Sequence, residues 1–173
     1  MRIPRAPAVC IRIAIALLCG AVHAAPPARY EIVHADGAQA YLRNTAAPAP
    51  PVRAPVLDRL FADNFEVEVD NDAVLATPHG DFVVLTMSRP AAYSRTYVPC
   101  AAGMGESRAY LVAVGAGAVK VISRSFGGCG RAYRIIRDGA DTGYVVADAG
   151  TQANEVRYRI RDGKVVRQAG RTR

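Results

Sequence analysis

The chain has 173 residues, with 22 Lys+Arg against 15 Asp+Glu and a formal net charge of +7. Its apolar fraction of 51% excludes a disordered tail and suits one domain with a sizeable core. The basic balance would ordinarily point to nucleic acid, but the charges are unevenly placed.

Residues 1–24 read as a cleavable export signal. A charged start, Met1-Arg2-Ile3-Pro4-Arg5, precedes an apolar stretch from Ile11 to Ala21 and a small-x-small site, Val22-His23-Ala24, with cleavage expected between Ala24 and Ala25. The apolar run is too short to span a bilayer, which takes ~20 residues, so an integral membrane protein is not expected. Removing the leader also removes Arg2, Arg5 and Arg12, leaving a charge of +4. Cys10 and Cys19 leave as well. The remaining pair, Cys100 and Cys129, reads as one disulfide in an oxidising compartment, and the expected location is the periplasm.

An N-terminal arm, residues 25–55, begins with two short strand-like runs around Asp36-Gly37, a favourable hairpin turn. It ends in a Pro-rich stretch, 46–55, that reads as an extended linker and the one internal boundary. Val56, Leu57, Leu60 and Phe61 then match one face of a short helix after Pro55, an irregular loop being the alternative.

From Phe65 the pattern is strand and turn. Phe65, Val67 and Val69 alternate with carboxylates, and Asp70-Asn71-Asp72 is expected to turn the chain. Further strands are expected over 73–77, 82–87, 93–98, 110–114, 119–123, 132–137, 144–147, 156–161 and 164–167, with Gly-rich or Asp-Gly turns between most of them. The expected fold is therefore all-β: an antiparallel meander of ten or more short strands over 56–167, closed as a barrel, packed as a sandwich or arranged as propeller-like blades. Residues 168–173 form a basic tail.

Groups suited to catalysis are few, and no catalytic residue, cofactor or metal ligand is assigned. His79, in a Pro-His-Gly-Asp turn with Asp81 nearby, reads as a solvated turn residue, and His34 is treated likewise. Gly105-Glu106-Ser107-Arg108-Ala109 approaches a serine-nucleophile elbow, but a strand pattern follows where the elbow needs a helix. Glu66, Glu68, Asp70 and Asp72 read as a solvated face. Asp70 and Asp72 keep a partial likeness to a calcium loop that lacks its glycine and distal glutamate.

Two interaction sites are expected. One is the loop Pro99–Arg108, anchored by the disulfide, with Met104, Glu106, Ser107 and Arg108 at its tip. The other is a basic stripe of Arg157, Arg159, Arg161, Lys164 and Arg167, lying in a C-terminal stretch that carries +6 over residues 157–173. Its alternative reading is an Arg-protected strand edge. Together these readings imply a non-catalytic exported protein-binding module. The subtype that fits is an inhibitor or immunity protein that blocks a cell-wall hydrolase through the loop. An envelope-associated protein using the basic stripe is the alternative, and a small hydrolase comes third. DNA is not an expected partner for an exported chain, and the oligomeric state is not legible.

Overall fold

A computed structural model of the chain describes residues 27–35, 39–93, 100, 105–138, 141–161 and 163–168. It is mostly β, in three antiparallel sheets. Strands β1 (Tyr30–Ala35), β2 (Gln39–Asn44) and β3 (Val52–Arg53) make the first sheet, and helix α1 (Pro55–Ala62) follows. Strands β4 (Glu66–Thr77), β5 (Gly80–Arg89), β6 (Glu106–Gly115) and β7 (Ala118–Gly128) make the second. Strands β8 (Arg131–Asp138), β9 (Asp141–Asp148), β10 (Val156–Arg161) and β11 (Lys164–Arg167) make the third. Neighbours in each sheet are neighbours in sequence, so the meander and the single short helix expected from the sequence are present. Among the described residues, no helix is long and apolar enough to cross a membrane.

The second sheet is central because both of its faces are covered. Val83, Leu85, Met87, Tyr110, Val112 and Val114 pack with Tyr30, Ala40, Leu42 and the α1 residues Leu57 and Leu60. Their neighbours Phe82, Val84, Ala109 and Leu111 point the other way, onto Phe126, Tyr144 and Val146. This is why Phe82-Val83-Val84-Leu85 and Ala109-Tyr110-Leu111-Val112 are continuous apolar runs rather than alternating ones: each strand buries both faces. The result is a stack of layers, with the first sheet and α1 on one side of the central sheet and the third sheet on the other.

The N-terminal arm is built into the first of these cores. Pro48 to Pro51 lie outside the strands, but Val52 and Arg53 pair with Leu42 and Tyr41 at the edge of the first sheet, and Ala54 is fully buried. The end of the Pro-rich stretch is thus part of the structure rather than a linker throughout. Proline is tolerated there because it precedes an edge strand and opens a helix. Asp58 of α1 accepts from the Ala40 amide at 2.8 Å and from Arg53 Nη1 at 3.1 Å. The Arg53 guanidinium holds the Asp58 carboxyl below the usual carboxylate range, helped by that amide. On the facing sheet, the Asn71 side chain accepts from Tyr30 N (2.7 Å) and donates to Tyr30 O (3.0 Å), and Tyr30 Oη donates to Asp81 (2.7 Å).

The expected turn at Asp70-Asn71-Asp72 is absent. β4 is one strand of 12 residues, and its register against β5 shifts between Asp70 and Leu75. The extra residues form a bulge, which changes the face each side chain occupies. Val69 packs in the first core, whereas Leu75 packs in the second. Asp70 Oδ1 caps the bulge by accepting from the amides of Asp72 and Ala73, both at 3.2 Å. Tyr144 Oη, from the third sheet, lies 3.0 Å from Ala73 O and 3.2 Å from Phe82 O, so a buried hydroxyl serves carbonyls beside the bulge.

Burial raises the Asp70 carboxyl pKa, and the like charge of Asp72 adds to this. A raised folded-state pKa means that the folded chain binds the proton more tightly than the unfolded chain. Asp70 therefore contributes most favourably below the unfolded value of ~3.9, and that contribution is lost as pH rises through the folded pKa. Asp70→Asn keeps the Oδ1 acceptor and removes the charge. It is expected to raise the melting temperature at pH 7, with the gain shrinking toward pH 4. A gain that stays constant across that range, or a loss, would contradict desolvation as the cause.

The expected strand 93–98 is also revised at its start. Ala91–Tyr93 is a single 3-10 turn, and residues 94–98 lie outside the described residues. Cys100 and Cys129 stand at disulfide distance, with 5.3 Å between their Cα atoms.

Candidate functional site

Connections between successive strands of the second and third sheets are two residues long in five cases and seven in one; the link from β5 to β6 has sixteen. Loops this long are uncommon in compact domains. The described residues show how its two stems are held.

Arg89 ends β5 and Glu106 begins β6, and they face each other in the register. Glu106 is fully buried. Its Oε2 accepts from Arg89 Nε at 2.8 Å and lies 2.7 Å from Arg89 Nη2, while its Oε1 pairs with Arg108 Nε. Glu106 and Arg108 are two apart on one strand and so share a face. Arg89 also donates through Nη1 to Asp63 O at the end of α1 (3.1 Å). The guanidiniums of Arg89 and Arg108 lie 4.4 and 5.8 Å from the centroid of the Phe65 ring. The carboxylate is thus met by two cations that rest on an aromatic face, and such pairing makes a buried charge tolerable. Gly105 lets the stems close. A Cβ there would sit 1.9 Å from Arg89 O, so no larger residue fits between the backbones.

On the opposite face of the same strand ends, Glu66, Ser88 and Ser107 form a row across β4, β5 and β6. This row lines a cleft of about 440 Å³ whose other walls include Pro90, Gly105 and the Cys100–Cys129 pair. A second cleft of about 200 Å³ continues from it along Glu68 and Thr86. A carboxylate and two hydroxyls on rigid strands offer acceptors and donors to a polar partner. Disulfide, ion cluster and strand pairing fix the positions of the groups in this row.

The expected loop tip is therefore corrected. Glu106, Ser107 and Arg108 are the first residues of β6, not a solvated tip, and Glu106 is buried as a structural charge. Ser107 lines the cleft, Arg108 lies on the other face, and Met104 lies outside the described residues. Arg89, Glu66 and Ser88 were not among the expected site residues. The available signal was strand pairing: closing β5 on β6 brings Arg89 to Glu106 and Ser88 to Ser107.

The other candidates separate. His79 sits in the turn between β4 and β5, and Asp81 is engaged by Tyr30, so the two do not form a base and its orienting acid. His34 packs against Phe61, ring centroids 5.0 Å apart. The segment after Ser107 is a strand, which removes the nucleophile-elbow geometry. Among the described residues, no group of three or more His, Cys, Asp or Glu is placed to hold a metal ion, and Asp70 is occupied by the bulge amides. The basic stripe divides. Arg157, Arg159, Arg161 and Lys164 share one face of the third sheet, but Arg167 pairs with Tyr158, whose side chain packs in the core, and so belongs to the other face.

Compared with protein-family models, with curated proteins and with solved structures, the chain matches none of them.

Proposed function

We propose that the chain is an exported, non-catalytic binding module that docks a protein partner at the disulfide-anchored end of its central sheet. The observation that carries this is the one long connection among short ones, with its stems fixed by the Arg89–Glu106–Arg108 cluster and by Cys100–Cys129. Fixing the stems lowers the ordering cost that a loop of this length would otherwise impose on binding. Export is supported by the leader-like start, and the cysteine pair suits an oxidising compartment such as the periplasm. The partner class that fits is a secreted cell-wall hydrolase, with this protein as its inhibitor or immunity protein. The polar row Glu66–Ser88–Ser107 would lie at the centre of the contact.

The test is lysis of peptidoglycan by the secreted hydrolases of the producing cell, followed by turbidity, with and without the purified protein. Lysis is expected to slow. Ser107→Arg is expected to weaken the effect about thirtyfold, equivalent to ~2 kcal/mol at an interface centre, while the melting temperature holds. No effect of the wild-type protein on lysis would remove the hydrolase assignment. An unchanged effect in Ser107→Arg would move the contact away from this cleft.

A further inference from the structure

The third sheet has two unlike faces. Tyr133, Ile135, Tyr144, Val146, Tyr158, Ile160 and Val165 point into the second core. The alternate positions form the outer face. In register across it, Arg134 stands beside Val145, which stands beside Arg157. Arg159 stands between Gly143 and Val166, and Arg161 is beside Lys164. Val145 and Ala147 are each only 1% exposed although they lie on this outer face. Arg134 and Arg157 flank Val145 in the register, and long basic side chains at such positions cover an apolar neighbour while keeping their charged heads in water. Those two side chains are 61% and 56% exposed.

Five cationic residues thus share one face. Among the described residues the acid facing them is Glu155, which lies 3.9 Å from Arg134 and 2.6 Å from Arg157. Counting Asp138 and Asp141, which pair with each other and whose register positions fall on the same face, the surplus is two positive charges. The face carries no aromatic residue, since the tyrosines of this sheet all point inward, so it lacks the stacking platform of a single-stranded nucleic-acid site. It does carry an exposed apolar residue, Val166 (54%), beside Arg159.

We propose that the outer face of the third sheet docks the protein onto a bilayer surface rich in anionic phospholipid. A basic sheet face is attracted by its charge to a layer of phosphates, at about 1 kcal/mol per cation near the surface. Val166 meets the interfacial region, where an apolar side chain is stabilised. The proposal uses the export reading only for access to the bilayer, and it concerns a face separate from the Ser107 cleft. Failure of one therefore leaves the other standing.

The experiment is sedimentation of the full chain with vesicles of phosphatidylcholine alone or of phosphatidylcholine mixed with phosphatidylglycerol. Binding is expected only to the anionic vesicles and is expected to fall with added salt. Combining Arg134→Gln, Arg157→Gln, Arg159→Gln and Lys164→Gln is expected to weaken it at least about a hundredfold, from roughly fivefold per charge. Arg134→Lys, Arg157→Lys and Arg159→Lys together keep the charge and should keep binding, which separates charge from any effect on folding. An equal loss of charge elsewhere, through Arg29→Gln, Arg43→Gln, Arg59→Gln and Arg124→Gln, should change binding less than about fivefold. All variants share one N terminus, so their differences read the face. Equal binding to neutral vesicles, equal loss in the control, or retention by an acidic protein with none on vesicles would each overturn the proposal.

Discussion

Glu106→Ala is expected to destabilise the protein by about 3–5 kcal/mol, the usual cost of breaking a buried ion pair from one side. At roughly 2–4 °C per kcal/mol for a chain of this size, the melting temperature should fall by roughly 6–20 °C. The reason is what remains after the carboxylate is gone. Arg89 keeps Asp63 O and the Phe65 face, but its side chain is only 13% exposed, and water has little access to replace Oε2, which meets both its Nε and its Nη2. Arg108, at 32% exposed, is left facing a cation across the vacated site. Glu106→Gln keeps the shape and one acceptor and should cost less. Arg89→Leu combined with Glu106→Leu removes the charge problem and should recover much of the loss, because a buried pair is often replaceable by apolar groups of similar volume. Thermal melts of the four proteins test this. A shift below about 2 °C in Glu106→Ala would mean that the cluster does not hold the strand ends together.

The same residue shows where sequence reading runs out. A glutamate between a Gly-rich stretch and a strand pattern has the composition of an exposed tip. Its burial depends on Arg89, seventeen residues earlier, and on the α1–β4 corner that brings Phe65 over both arginines. Neither relation has a local signature. By contrast, Phe65 to Asp70 alternates without interruption, so the first half of β4 was legible. The bulge was not, because exchanging faces at Asp70–Leu75 breaks a period of two just as a turn does. Two-residue hairpins were well marked by Asp-Gly and Gly-Ala-Gly. The stripe Arg157-Arg159-Arg161 was legible from the same period. Arg134 escaped because it sits on another strand, and Arg167 was misplaced because its face is set by pairing across the last hairpin, not by its own neighbours. Layering is the largest feature that stayed hidden. Continuous apolar runs in β5 and β6 indicate burial on both faces, but only tertiary packing shows that a sheet covers each of them.

Replacing both Cys100 and Cys129 by Ser is expected to cost about 3–4 kcal/mol, because the crosslink closes a loop of sequence separation 29 and restricts the unfolded chain. The melting temperature should fall by roughly 6–16 °C. Reduction of the wild-type protein should give the same value, which separates loss of the crosslink from any effect of the serines. The fold should survive, since β5, β6 and β7 keep their pairing and both cores lie away from the sulfurs. Binding should suffer more than stability alone predicts. The crosslink ties the β5–β6 loop to the turn between β7 and β8, and both cysteines wall the cleft that holds Ser107. A partner would then have to order a segment that the disulfide had already fixed. Denaturation and hydrolase inhibition measured on the same double variant decide the matter. Lower stability with unchanged inhibition would assign the disulfide to the fold alone and weaken the case for a preorganised loop.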